Sequence, residues 1–187
     1  MTAKEIRMSG ALVVRHRRTL ETLLTRARIE TALGRLPAEE REEFLHASTL
    51  SWVRIPTMEA VFRALAEDAK RDPAELHVEV VKRSVADNVG GVWRLLLRFH
   101  GDDSLVARLP RVFSRAYDGG RVSPVTVGEG VGTFKVEDWP GMPEYARRGL
   151  AAGGEEVLRL AGRLDAHIKC TSPAGADPMM FQVTWRV

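Results

Sequence analysis

The spacing of apolar residues changes once along this chain, near residue 118, and that change limits the folds it can adopt. Before residue 118 the apolar positions recur every three to four residues, which is typical of helices packed along one face. After it they alternate in two pairs of segments, which is typical of strands with one buried face. A helical part followed by two strand pairs predicts an α+β fold.

The first 118 residues carry the signals of several helices. Asp72-Pro73-Ala74-Glu75 is the clearest start, because its aspartate can cap the helix, its proline suits the first position and its glutamate can reach the cap amide. Val89 to Phe99 is apolar on more than one side, which predicts a buried central helix, although its Trp-Arg-Leu-Leu-Leu run also suits a strand. Further helices are expected from other signals. An apolar stripe of Leu20, Leu23, Leu24 and Ala27 predicts a helix that stops at Gly34. Pro37, Pro56 and the cap Asp102 each begin another helix, and the last of these is expected to kink at Pro110.

Residues 119–187 predict a sheet with one helix. A hairpin turn is expected at Gly128-Glu129-Gly130. A long helix is predicted from Pro143 to about Gly162, and its three internal glycines either allow close packing or mark a break. The predicted strands are Arg121 to Val127, Val131 to Glu137, Leu164 to Cys170 and Phe181 to Val187.

We therefore predict one α+β domain over residues 1–187, a length at which a single domain is expected. Residues 1–118 form its mainly helical part, and residues 119–187 form the sheet with one long helix. The expected architecture is a helical N-terminal layer packed on a four-stranded antiparallel sheet, in the order hairpin, long helix, hairpin.

Composition excludes several classes of protein. The chain has 28 basic and 25 acidic residues, so the net charge is only +3, and acids are interleaved with the arginines. The one locally basic run, Arg15 to Arg18, contains no aromatic residue on which a base could stack, so no nucleic-acid partner is expected. One cysteine allows no disulfide framework, and no apolar run is long enough to span a membrane. We expect a cytoplasmic protein with no membrane span, no metal and no cofactor.

No constellation of catalytic residues is evident, so we predict that the chain is not an enzyme. The histidines lack metal-ligand spacing, and His77 reads as a half-buried helix histidine rather than a haem or metal ligand. The glycines of Gly128 to Gly132 precede a predicted strand, which favours a hairpin turn over a phosphate loop. Cys170 falls on a predicted buried face, where a thiol acts as a small apolar group; a catalytic Cys170 is the alternative and predicts fast labelling in the native state.

Three stretches carry a resemblance to known domains. They are Ser84-Val-Ala-Asp-Asn-Val-Gly-Gly-Val-Trp-Arg94, Leu109-Pro to Tyr117-Asp-Gly-Gly-Arg121, and Cys170 through Asp177-Pro-Met-Met-Phe181-Gln-Val183. With the order helices, hairpin, long helix, hairpin, they resemble an uncharacterised, mainly myxobacterial family. That family is related to the 4-vinyl reductase domain, the haem-nitric-oxide-binding domains and the TRAPP subunits. The resemblance covers most of the chain and implies their α+β fold.

The chain departs from the metal-binding and haem-binding members of this group. In 4-vinyl reductase-type domains the terminal hairpin often carries two cysteines; Cys170 matches the first, and Met179 and Met180 stand where the second would be. The haem branch uses a helical proximal histidine and a Tyr-x-Ser-x-Arg motif, and this chain has no such motif. The resemblance therefore implies neither a two-cysteine metal site nor haem.

The resemblance does imply a binding module, since its relatives bind small apolar ligands or build protein complexes by dimerising. We predict a non-enzymatic sensory or adaptor module that acts through dimerisation or protein–protein interaction, with a second copy or another protein as partner. The alternative is a domain that binds a small apolar ligand in a pocket between the helices and the sheet. Pocket candidates, unless they simply fill the core, are Trp93, Phe113, Phe134, Cys170 and Phe181; interaction candidates are Arg15, Arg17, Arg18, Arg94 and Arg121.

Overall fold

Helices precede the main sheet in this chain, as its change of apolar spacing predicts. The computed structural model describes residues 5–88 and 108–186. Within these residues seven helices accompany a two-stranded ribbon and a four-stranded antiparallel sheet, which confirms the α+β class. The chain divides into two compact units, Met1–Ser84 with Ala116–Asp118, and Val85–Arg115 with Gly119–Val187. Val89 to Phe99, the Asp102 cap, Trp93 and Arg94 lie outside the described residues.

The first unit is built around one apolar helix. This helix, α4, contacts both α2 and α3, and its Met58, Val61, Phe62 and Leu65 are almost fully buried. Burying such side chains is worth roughly 1.5–3 kcal/mol each against full exposure, so α4 is the centre of the apolar core. The helices are α1 (Gly10–Leu23), α2 (Arg26–Gly34), α3 (Ala38–Leu45), α4 (Ile55–Ala69) and α5 (Pro73–Asn88).

Two helix boundaries test the capping arguments. Asp72 Oδ1 accepts hydrogen bonds from the backbone nitrogens of Ala74 and Glu75 at 2.9 and 3.0 Å, which confirms the predicted start of α5.

The apolar stripe from Leu20 to Ala27 was expected to lie on one helix, and this is wrong. The Thr25 hydroxyl accepts from the backbone nitrogen of Arg28 at 3.4 Å and caps a second helix, so the first ends at Leu23.

A short ribbon that the apolar spacing does not predict joins the start of the chain to the middle of the first unit. Strand β1 (Arg7–Ser9) pairs antiparallel with β2 (Trp52–Arg54). The ribbon leads into α1 at Gly10, where a Cβ would overlap the carbonyl oxygen of Ser48. Glycine is therefore required at the start of α1, because only a bare backbone fits against that turn.

The second unit contains both predicted hairpins. Its strands are β3 (Arg121–Gly128), β4 (Val131–Glu137), β5 (Leu164–Cys170) and β6 (Met179–Arg186), in the spatial order β3-β4-β6-β5. Two helices accompany them, α6 (Leu109–Ala116) and α7 (Glu144–Leu160). Pro110 lies in the first turn of α6, where a proline costs no hydrogen bond. The kink predicted there concerns a helix that begins at Asp102, outside the described residues, and stays a prediction.

Helix α7 packs against the outer strand β5 of the sheet. A Cβ on Gly154 would lie 2.5 Å from Ile168 Cδ1, so this glycine allows close packing and the helix runs unbroken past it. Glu155 Oε1 accepts a hydrogen bond from the backbone nitrogen of Ile168 at 3.0 Å. The helix therefore occupies part of the outer edge of β5 as well as covering one face.

The opposite edge strand, β3, is irregular. Pro124 has no amide hydrogen, and the pairing of β3 with β4 shifts register between Pro124 and Thr126. From Pro124 to Gly128 this strand is exposed. A proline and a bulge on an exposed edge both disfavour the addition of another strand.

Candidate functional site

Three of the predicted pocket residues lie side by side across the sheet. Phe181 on β6 is the register partner of Phe134 on β4 and of Cys170 on β5, so the three share one face. The rings of Phe134 and Phe181 are stacked, with centroids 4.8 Å apart and planes 3° from parallel. Both rings are buried, whereas Cys170 is half-buried and its thiol donates to the Ser172 carbonyl oxygen at 3.7 Å. The two phenylalanines fill the space between their strands.

Phe113, the fourth described pocket candidate, packs in the second unit beside the start of the sheet. Its ring lies edge to face with that of Trp139, with centroids 6.3 Å apart. Gly120 has a positive φ of 73°, and a Cβ there would lie 3.4 Å from both rings. The Gly119-Gly120 stretch therefore lets the chain turn from α6 into β3 while the aromatic pair stays packed.

Trp185 is a buried polar residue that the list of pocket candidates omits. It lies on the same face of β6 as Phe181, its ring packs against Gly132, and it is 6% exposed. Within the described residues the indole Nε1 has no hydrogen-bond partner. Leaving a buried donor unpaired costs about 1–3 kcal/mol, so a partner that supplied an acceptor would be stabilised here. The period-two spacing of β6 places Trp185 on this face, but no sequence signal shows that its donor lacks a partner.

The interaction candidates separate into two kinds. Arg17 donates to the carbonyl oxygens of Leu45 at 2.5 Å and Phe44 at 3.3 Å, so its guanidinium group caps the end of α3. Arg121 pairs with Asp138 at 2.8 Å. Arg15 and Arg18 form no ion pair within the described residues.

A second set of arginines, missed in the sequence analysis, lies on α6. Arg111 and Arg115 are exposed, as is Val112 between them, and Phe113 on the opposite side is buried. Within residues 5–88 and 108–186 neither arginine forms an ion pair. Their spacing of four residues is visible in the sequence, but their lack of carboxylate partners is a tertiary property that spacing does not reveal.

Two buried imidazoles mark the core of the first unit. His16 on α1 and His77 on α5 lie edge to face with centroids 6.2 Å apart, and Phe62 on α4 contacts both rings. Burial, and secondarily the charge of Arg15, lowers the pKa of His16 from 6.5 to about 4. The Nδ1 atom of His16 has no hydrogen-bond partner within the described residues. At neutral pH this imidazole is therefore uncharged.

Comparison with known proteins identifies the fold. No protein-family profile matches the chain, and no curated protein matches it. Several solved structures do match. The Fe(II) unliganded H-NOX protein from K. algicida has a TM-score of 0.68 and 9% identity, with 96% of this chain and 97% of that chain covered. An oxygen-binding H-NOX domain related to soluble guanylate cyclases has a TM-score of 0.62, 12% identity and 96% coverage of both chains.

A mutant H-NOX of T. Tengcongensis gives the same result, with a TM-score of 0.61, 12% identity, and 96% and 98% coverage. At these identities the likeness shows the fold alone. It confirms the expected likeness in architecture to the haem-nitric-oxide-binding domains. The relationships to 4-vinyl reductase domains, TRAPP subunits and the myxobacterial family stay predictions.

The described residues do not fit a haem. Tyr117 and Arg121 have the tyrosine and arginine spacing of the Tyr-x-Ser-x-Arg motif, but Gly119 stands at the serine position and offers no side chain. Burial raises the pKa of Tyr117 to about 12, and Arg121 is directed onto Asp138. The His77 ring is packed 4.9 Å from that of Phe62, and His100 lies outside the described residues. Nor does any group of three or more His, Cys, Asp or Glu in the described parts of the chain have the arrangement of a metal site.

Proposed function

We propose that this chain is a non-enzymatic sensory or adaptor module that acts without haem, through contact with a second copy of itself. Two observations together carry the proposal. The chain has an H-NOX fold over 96% of its length, and at the positions of the Tyr-x-Ser-x-Arg motif it has Gly119 in place of the serine and an arginine, Arg121, that is paired with Asp138. A sensory fold that lacks this anchoring set still has its surfaces for transmitting a signal. Fold likeness gives a prior on function, and the site residues decide the chemistry.

The arrangement of carboxylates supports a non-enzymatic role. Glu156 is buried and forms two hydrogen bonds to Arg159 at 2.5 and 2.8 Å. Glu43 accepts from the backbone and side chain of Arg54, both at 2.9 Å, and from Thr57. Burial alone would raise the pKa of Glu43, but these hydrogen bonds outweigh it and lower the pKa. Glu43 therefore joins α3 to Arg54 and α4, and Glu156 is paired within α7, so both carboxylates have structural partners.

Two measurements on one preparation test this proposal. The chain is expressed with haem precursor, its absorption is recorded in the Soret region, and its mass in solution is measured by light scattering after size exclusion. We expect no Soret band and a mass that rises above that of one chain with concentration. A stoichiometric Soret band overturns the haem-free proposal, and a mass of one chain at every concentration overturns the self-association.

A second candidate function is the binding of a small apolar ligand, and Trp185 favours it. Its unpaired Nε1 lies on the same sheet face as the stacked Phe134 and Phe181 rings. An apolar ligand with one acceptor would satisfy that donor, which is the usual composition of such sites. Native mass spectrometry of freshly purified protein should then show added mass that the Trp185→Phe variant loses. An unliganded mass for both proteins favours the filled core.

A further inference from the structure

Arginines in the described parts of this chain are mostly engaged. Arg7 pairs with Asp118, Arg148 with Glu144, and Arg186 with Asp165. Arg111 and Arg115 on α6, like Arg15 and Arg18 on α1, form no ion pair within the described residues, and both α6 arginines are exposed. Two neighbouring guanidinium groups without counter-charges raise the local positive potential, which attracts an acidic surface.

The exposed side of α6 also carries an apolar residue. Arg111, Val112 and Arg115 occupy one side of the helix, and Val112 is 60% exposed. Phe113 is buried on the other side and packed on Trp139, which fixes the rotation of the helix. We call the exposed set Arg111, Val112 and Arg115 the basic stripe. It joins two positive charges to one apolar contact on a helix whose orientation is fixed by packing.

Helix α3 has the complementary composition. Glu39, Glu42 and Leu45 are spaced three residues apart on its exposed side, and Leu45 is 42% exposed. Phe44 is buried and holds the helix in the first unit. We call Glu39, Glu42 and Leu45 the acidic stripe. It carries two negative charges where the basic stripe carries two positive ones, and it also has one exposed apolar residue.

Both glutamates have partners among the described residues, namely the half-buried Arg54 for Glu39, and His46 and Arg41 for Glu42. Glu39 Oε1 lies 2.9 Å from Arg54 Nη2, and Glu42 Oε2 lies 3.0 Å from His46 Nδ1. Exposed ion pairs of this kind contribute little, typically below about 1 kcal/mol, and side chains in them exchange partners readily. Both carboxylates can therefore turn to a guanidinium group that approaches from another molecule.

We propose that the basic stripe of one copy binds the acidic stripe of a second copy. The sheet offers no competing route, because Pro124 and the bulge disfavour pairing at β3 and Glu155 occupies the edge of β5. This inference rests on the proposed self-association and names its surface.

Reversing the charges gives a decisive test. Arg111→Glu with Arg115→Glu makes both stripes of one variant negative, and Glu39→Arg with Glu42→Arg makes both stripes of the other positive. Each variant alone should dimerise at least ~10-fold more weakly by sedimentation, because like charges then face each other. An equimolar mixture of the two should recover wild-type association, since a negative stripe of one variant can then meet a positive stripe of the other. A chain with all four substitutions should also recover it, which shows that the altered chains fold.

The matched control changes the same number of charges elsewhere. Arg26→Glu with Arg28→Glu reverses two exposed arginines on α2 and should leave the dissociation constant within about 2-fold of wild type. Dimerisation that survives either stripe reversal overturns this surface while leaving the proposed self-association intact. A mixture that stays monomeric also overturns it, because complementary charges alone should then restore the contact. A wild-type chain that is monomeric at every concentration overturns both proposals.

Discussion

The carboxylate of Asp118 holds Arg7 at three points, although 111 residues separate them in the chain. It accepts from the Arg7 backbone nitrogen at 2.7 Å and from Nε at 2.9 Å, and Nη2 lies 2.9 Å away. In return the Asp118 backbone nitrogen donates to the Arg7 carbonyl oxygen at 3.1 Å. The neighbouring residues Met8 and Tyr117 form a β-bridge. The segment after α6 is thereby fastened to the ribbon at the start of the first unit.

Asp118→Ala should lower the free energy of unfolding by about 2–3 kcal/mol, because it removes a largely buried charged acceptor and leaves the Arg7 amide without its partner. Urea unfolding followed by circular dichroism measures the loss. Glu30→Ala, which breaks the exposed Arg26–Glu30 pair, is the control and should change stability by less than about 0.5 kcal/mol. Equal losses for the two variants would contradict a special role for Asp118.

Acid should weaken the first unit through His16. The unfolded chain binds a proton at this imidazole below pH 6.5, whereas the folded chain binds it only near pH 4. Its contribution to stability is therefore complete above pH 6.5 and is lost as the pH falls toward 4, by about 3 kcal/mol in all. Urea unfolding across this range should show the loss in wild type and a smaller loss in His16→Leu. A His16→Leu profile parallel to that of wild type would refute the assignment.

Close packing of α7 on β5 should make Gly154 intolerant of substitution. Gly154→Ala brings a methyl group against Ile168 Cδ1 and should cost about 1–3 kcal/mol, despite the better helix propensity of alanine. Ile168→Val removes that δ carbon, so the double variant should recover part of the loss in a thermal-melt cycle. Gly34→Ala, where a Cβ meets nothing within 4 Å, should be neutral or mildly stabilising. Additive effects at 154 and 168 would speak against the contact.

A buried hydrogen bond between α1 and α5 should behave non-additively. The hydroxyls of Thr19 and Ser84 lie 3.0 Å apart and both side chains are buried. Thr19→Val or Ser84→Ala alone leaves one buried hydroxyl unpaired and should cost about 1–3 kcal/mol. The double variant should cost less than the two losses added, as measured by urea unfolding. Strict additivity would mean that each hydroxyl has another partner.

Local signals account for most of the second unit. The turn Gly128-Glu129-Gly130 and the alternation of β4 and β6 predicted the strands to within a few residues, because period and turn chemistry act between near neighbours. The ribbon of β1 and β2 was missed because its strands have three residues each and meet across 45 residues of sequence. The end of α1 at Leu23 was missed for a different reason, since the Thr25 cap competed with a continuous apolar stripe.

The candidate sites were less predictable than the fold. Phe134, Cys170 and Phe181 come together because strand register follows from the hairpins, and register could be inferred. The contacts of Arg17 could not be predicted, because the carbonyl oxygens that it caps belong to another helix. Arg111 and Arg115 were overlooked because only the folded chain shows which charges have found partners. Sequence spacing predicts which face a side chain lies on, while its tertiary neighbours decide whether it has a hydrogen-bond or ion-pair partner.

Pro124 on β3 and Glu155 at the edge of β5 affect how copies of the chain associate at high concentration. Both edges of the four-stranded sheet disfavour pairing with a neighbouring copy, so the sheet is a poor template for fibril growth. Copies of the chain at high concentration are then less prone to join through the edges of their sheets. The proposed contact between copies uses side chains alone, so it can form and separate again.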